Sequence, residues 1–175
     1  RRILSNVKVR GTWGEMQLGN ILQDILDKAR YVENAEIRPH SGLRVEYALR
    51  LPGQGEQEVL LPLDAKFPLE DYQRLQQARE NGDAQAAEAA TKQLERRLKS
   101  EAKDICDKYI CPPYSTDFAV MYLPCEGLFA EALNIPGLAE DFQLNYRVCI
   151  AGPSTLAALV NSLQLGFRTL AVQQR

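Results

Sequence analysis

Histidine is almost missing from this chain: His40 is the single one in 175 residues. With one histidine, a zinc site would need ligands of other types. The four cysteines, Cys106, Cys111, Cys125 and Cys149, form no C-x-x-C pair, so the common zinc and redox motifs are lacking too, and reduced cytoplasmic thiols are the expectation. No apolar run approaches the ~20 residues of a membrane span, and no signal-peptide pattern opens the chain, so this segment is expected to make no membrane contact. Neither sign of charge dominates. Twenty-one basic against 23 acidic side chains leave a net charge of -2 and a pI near 5.6, so no global field draws the protein to a polyanion, and any nucleic-acid contact must be local.

What is present is enough apolar residue, 45%, to bury one sizeable core. The chain starts at Arg1 and stops at Arg175 close behind a helical pattern, which suggests a piece of something longer. Leu18, Ile21, Leu22, Ile25 and Leu26 recur at three and four, predicting a first helix over Thr12 to Lys28. Strict alternation predicts strands over Arg44 to Leu51, with Val45, Tyr47, Leu49 and Leu51 on one side, and over Glu58 to Phe67, with Val59, Leu61, Leu63, Ala65 and Phe67 on one side. The intervening PGQGEQ reads as the connection of an antiparallel pair, and a further strand is expected around Tyr31 to Arg38. Helical spacing resumes after Pro68. Asp83 caps a long alanine-rich helix with the stripe Leu94, Leu98, Ala102, Ile105 and Tyr109. DFAVMYLP and RVCIAG read as strands, separated by short helices around Leu128 to Leu133 and Leu138 to Tyr146, and a last helix from Ser154 carries Leu156, Leu159, Val160, Leu163, Phe167 and Leu170. The sum is an α/β (α+β) domain with a mixed central β-sheet flanked by helices.

The second of the paired strands ends LPLDAKFP. Residues two apart on a strand point the same way, so Asp64 and Lys66 share a face opposite Leu63, Ala65 and Phe67. Glu101-Ala-Lys103 has the same spacing on a helix, where ~200° of rotation separates the two charges and the spacing carries nothing. An acid-x-lysine triplet is expected on the order of once by chance, so the strand setting gives the motif its weight. Glu46, on the preceding strand and opposite Val45, Tyr47 and Leu49, lies on the side of Asp64 if the two strands pair. Two carboxylates and an ammonium would then converge. Carboxylate oxygens suit a hard cation such as magnesium, while a neighbouring lysine can hold a hydroxide or a phosphate oxygen, the parts needed for phosphodiester hydrolysis. The plain alternative is a same-strand ion pair on a half-wet sheet, with Glu46 flanked by Arg44 and Arg50 on a solvated face. Glu15 has two readings as well: Thr12-x-x-Glu15 is a capping box, favoured from sequence alone, yet Glu15 lies on the helix flank of Leu18 and Leu22 and can face the sheet.

GTWGEMQLGNIL, RVEYALRLPG, LPLDAKFPLEDY, DFAVMYLPCEGLFAEAL and AGPSTLAALVNSLQLGFR, in that order, resemble the nuclease-like domain of the RmuC family of DNA recombination proteins. The resemblance covers nearly all of the chain from Gly11 onward, and its most specific parts are G-x-W-G-E and D-x-K-x-P. It implies a single restriction-endonuclease-like domain of the PD-(D/E)xK type over 11–175, with 1–10 the end of an upstream helical or linker segment. By the same implication Asp64 is the second acidic ligand, Lys66 the motif lysine, Glu46 the first acidic position and Glu15 an extra acid from the first helix. Magnesium, with manganese as a substitute, would be held by Glu15, Glu46, Asp64 and the carbonyl of Ala65, and DNA would be the substrate. Val45-Glu46 departs from the common Pro-Asp by one methylene in the acid. The family further implies a longer protein with a membrane-proximal segment and a coiled coil, hence homo-oligomers.

Lys92, Arg96, Lys99 and Lys103 form one stripe of the long helix, a candidate track for phosphates. Glu88 and Glu95, each four residues before a lysine, favour an ordinary solvated face instead. Trp13 and Met16 read as packing residues, Ser154-Thr155 as a helix cap and His40 as an exposed loop residue, while Glu126 and Glu131 have no derivable role. Set against the nuclease is a module of the same fold that binds DNA or acts as a scaffold without efficient hydrolysis, for which Glu46 and the acidic pI speak.

Overall fold

A computed structural model describes residues 7–53 and 57–173, with side chains from residue 8 to 164. The tip of PGQGEQ, most of the upstream segment 1–10, and the side chains of Phe167 and Leu170 lie outside the described residues. Five strands, β1 (Tyr31–Glu36), β2 (Arg44–Pro52), β3 (Glu58–Ala65), β4 (Ala119–Tyr122) and β5 (Val148–Ala151), form one sheet in the order β1-β2-β3-β4-β5. The first three pair antiparallel, with Leu49 opposite Leu61 and Tyr47 opposite Leu63. β3, β4 and β5 run parallel. The sheet is therefore mixed, and β3 is the strand at which its sense changes.

Helices cover both faces because both faces are apolar. On one side α1 (Val7–Ile25) and α6 (Pro153–Gln173) bury Leu18, Leu22, Leu156 and Val160 against Leu49, Leu61, Leu63, Val120 and Tyr122. On the other, α3 (Ala84–Tyr109) and α4 (Glu126–Asn134) bury Leu94, Leu98, Ile105 and Leu128 against Ala119, Met121 and Val148, with α2 (Leu69–Glu80) adding Tyr72 and Leu75. Asp83 caps α3 as its side chain accepts from the Ala86 amide at 3.0 Å. A short α5 (Leu138–Asp141) opens into a wider helical turn over Phe142–Tyr146 that ends where Arg147 turns left-handed, φ 55°. Among the described residues no helix is long and apolar enough to cross a membrane.

Several expectations are corrected. α1 begins at Val7, so Thr12 lies inside it with its hydroxyl donating to the Lys8 carbonyl at 2.9 Å, and the capping box does not form. Extra turns are possible because Arg10, buried at 6% exposure, anchors them to Glu70 of α2 at 2.7 Å. Val45 does not share a side with Tyr47 and Leu49: it packs with Ala35, Ile37 and Ala48 in a separate small cluster. The cause lies across the ladder, where Asn34 takes a left-handed φ of 52° between the pairs Glu33–Tyr47 and Ala35–Val45, which breaks the alternation of both strands. Met16 is 56% exposed and packs little, whereas Trp13 stacks on Phe67 at 5.4 Å between ring centres. Ser154 is a helical residue, and the start of α6 is fixed by Thr155, whose hydroxyl accepts from the Gly152 amide at 2.7 Å. His40 is exposed as expected, and the four cysteines are free.

Candidate active site

The charged residues gather where β3 ends. Asp64 is its penultimate residue and, at 3% exposure, almost fully buried. One residue beyond the strand, the Lys66 amide still donates to the Tyr122 carbonyl at 2.9 Å, so β4 holds the lysine in register with the strand. The Lys66 ammonium lies 3.0 Å from Asp64 Oδ2. The two form an ion pair in which the carboxylate is buried and the ammonium part-exposed. Burial pushes the Asp64 carboxyl up, and the lysine charge works against this. For Lys66 burial pulls downward, but the charge and hydrogen bond of Asp64, with the charges of Glu101 and Glu46, together outweigh it and the ammonium is held on.

Glu46 stands at the break in the β1–β2 alternation, opposite the left-handed Asn34. Its Oε2 accepts from the Ala65 amide at 2.8 Å, which ties β2 to the end of β3 through a side chain. From there its carboxyl couples to both Asp64 and Glu15. Burial, then the Asp64 charge, push it up to about 9, the Ala65 amide opposing and Glu15 adding a smaller push. Glu15 is exposed and reaches this point because α1 approaches closely at Gly14, where a Cβ would sit 3.3 Å from Pro124 and 3.6 Å from Ala65. The glycine of G-x-W-G-E thus sets the distance at which its glutamate meets the sheet.

The model of the RmuC family matches residues 1–175. This chain belongs to the RmuC family. It is similar to the DNA recombination protein RmuC homolog of Xylella fastidiosa (strain Temecula1), with 52% identity over 177 residues that cover all of this chain and 39% of that protein. The RmuC homologs of Pseudomonas aeruginosa, 31% identical over 90% of this chain, and Chlamydia trachomatis, 27% identical over 92%, each match over 35% of their own length. The chain spans about two fifths or less of these relatives. No solved structure gives a significant match.

In this RmuC chain Glu15, Glu46, Asp64 and Lys66 therefore come together, as a chain of coupled charges rather than a cage. Among the described residues no three carboxylate, thiol or imidazole groups converge, as they stand, on one metal-binding point. The stripe Lys92, Arg96, Lys99 and Lys103 lies elsewhere, on the outer face of α3: Lys92 pairs with Glu88, Lys99 with Glu95 and Lys103 with Asp107, while Arg96 donates to the neutral Gln93. Glu126 and Glu131 gain structural roles, Glu126 accepting from the Ser154 amide and hydroxyl at the start of α6, Glu131 pairing with Arg79.

The sequence reading missed Glu101 and Tyr109. Glu101, used only as a control for spacing, is half-buried on α3 with its Oε2 turned inward, and feels Lys66, Arg97, Asp64 and Asp71; desolvation raises its carboxyl to about 7. The signal was available, since Glu101 is three residues after Leu98 and four before Ile105, inside the apolar stripe. Tyr109, at the end of the same helix, faces Asp64, Lys66 and Glu46, and burial raises its phenol.

Proposed function

We propose that this chain is a magnesium-dependent phosphodiesterase that cleaves DNA, of the restriction-endonuclease-like PD-(D/E)xK type. The observation that carries the reading is the buried Asp64 at the end of β3, with Lys66 beside it and Glu46 and Glu15 brought in from β2 and α1. The donor set fits a hard divalent cation. Burial, with the Asp64 charge next, holds Glu46 up to about 9, and Asp64 is buried with only the Lys66 ammonium against its charge, a combination that a cation would relieve. Glu15, Glu46, Asp64 and the Ala65 carbonyl would hold it. Magnesium or manganese, when bound, would supply neutralisation of charge on the phosphate oxygens and lower the pKa of a coordinated water.

The protein's own part in the reaction follows from placement. Lys66, fixed by β4 through its backbone, holds the attacking water or a phosphate oxygen at the strand end. Asp64 and Glu46, on neighbouring strands, would hold the cation beside that lysine. The name of the relatives, DNA recombination protein, supports DNA as the substrate. Homo-oligomers through a coiled coil outside this chain belong to the same proposal. The test is magnesium-dependent cleavage of single- and double-stranded DNA by the wild type, Asp64→Ala and Lys66→Ala. Cleavage is expected for the wild type alone, with a loss of at least about 100-fold in each variant; equal activity in all three rejects the assignment.

A second reading has its own support. Glu46 is already engaged by the Ala65 amide and Asp64 by Lys66, and the three acids do not meet at one point. A DNA-binding or scaffolding module that keeps this fold without hydrolysis would look the same. It would bind DNA without cleaving it and would take up no manganese that depends on Asp64.

A further inference from the structure

One ammonium stands within electrostatic reach of two carboxylates, one that already holds it and one whose buried oxygen has no hydrogen-bond partner among the described residues. Asp64 Oδ2 is the first, with Lys66 Nζ 3.0 Å away; Glu101 Oε2 is the second. Glu101 sits on α3 and packs over the sheet face that carries Asp64 and Lys66, within electrostatic reach of both. The other cation near it, Arg97, is held by Asp71 at 3.3 Å, and Arg74 pairs with that same aspartate. Asp71 is itself buried at 7% exposure. Besides Asp64, the acids that act on the Lys66 ammonium are Glu101 and then Glu46, and the phenol of Tyr109 lies within reach of it as well.

A buried acid without a partner is costly unless something satisfies it in another state. An ammonium on a flexible stem, with its side chain 29% exposed, has room to change partners. A divalent cation on Asp64 would compete with Lys66 for the same carboxylate, and an ammonium displaced by it must not be left unpaired in a half-buried place.

We propose that Glu101 is the second seat of the Lys66 ammonium, receiving it when Asp64 turns to a divalent cation. The inference rests on the nuclease reading of Asp64. Glu101 touches neither the cation nor the phosphate in this arrangement and is a positioning residue. It keeps Lys66 in the site, charged and oriented, while releasing Asp64 from it. The Glu101 carboxyl, held up to about 7 by burial with Lys66 first among the charges opposing this, supplies the negative charge above neutral pH.

Manganese uptake measured by calorimetry at about pH 8, on the whole chain, separates the possibilities. Glu101→Gln should weaken uptake about tenfold, because Lys66 then stays on Asp64 and competes with the cation. Glu101→Asp keeps the charge and should restore most of the uptake. In a Lys66→Met background, where no ammonium competes, Glu101→Gln should have no effect. Unchanged uptake in Glu101→Gln, equal loss in the Gln and Asp variants, or the same loss without Lys66 would each overturn the two-seat lysine and leave the proposed function standing. No uptake by the wild type, or uptake that survives Asp64→Ala, would overturn the proposed function itself and the second seat with it.

Discussion

Glu46 is the residue in which the tension of this site is most visible. Its carboxyl is pushed from an ordinary 4.5 to about 9, by burial first and by Asp64 next. The folded state therefore binds a proton that the unfolded chain has already released, and stability falls as pH rises between about 5 and about 9. Glu101 adds to the same slope up to about 7. Glu46→Gln keeps an oxygen for the Ala65 amide and removes the charge, so the variant should be more stable than the wild type near pH 9 and about equal near pH 5. Thermal melts across that range without divalent ions check this; parallel curves for the two proteins would contradict it. Side chains of this kind divide sharply in how far the sequence reveals them. Asp64 and Lys66 were legible because a strand fixes the direction of every second residue. Glu15 was legible only through resemblance, since its local pattern pointed to a cap that Arg10 and the earlier start of α1 render unnecessary.

Among the elements, β2 and β3 follow from alternation, and their register from the loop that joins them. What alternation could not reveal is the flip at Asn34. A left-handed residue in one strand turns Val45 away from Tyr47 in the next, and no periodicity within β2 alone records it. The same break gives Glu46 its reach toward both helical layers, so the least readable backbone feature is the one that builds the site. α3 was readable throughout, from its cap to its stripe, yet a charged residue within that stripe was passed over because acids are rarely buried. The Asp83 cap is worth testing by itself. Asp83→Ala leaves the Ala86 amide without its acceptor and should lower stability by about 1 kcal/mol, without changing how the charges at β3 are arranged. A denaturant titration measures the loss; none would mean that water replaces the carboxylate at no cost.

For the molecule as a whole, the near balance of charge conceals its arrangement. On the outer face of α3, Lys92, Lys99 and Lys103 each have an acidic partner, while acids whose protonation folding alters lie inward, at the end of one central strand. The change of sense at β3 reaches beyond the chemistry. The antiparallel β1–β2–β3 meander closes through short connections, but β4 can join β3 only after the chain from Lys66 to Phe118 has been gathered up. Loop-closure entropy makes that the slower event. Folding should thus begin with the meander while Asp64 is still hydrated, and its desolvation should be a late step. Pulse-labelled amide exchange would register this as Leu49 and Leu61 protected ahead of Val120, and simultaneous protection would show that the whole sheet condenses at once.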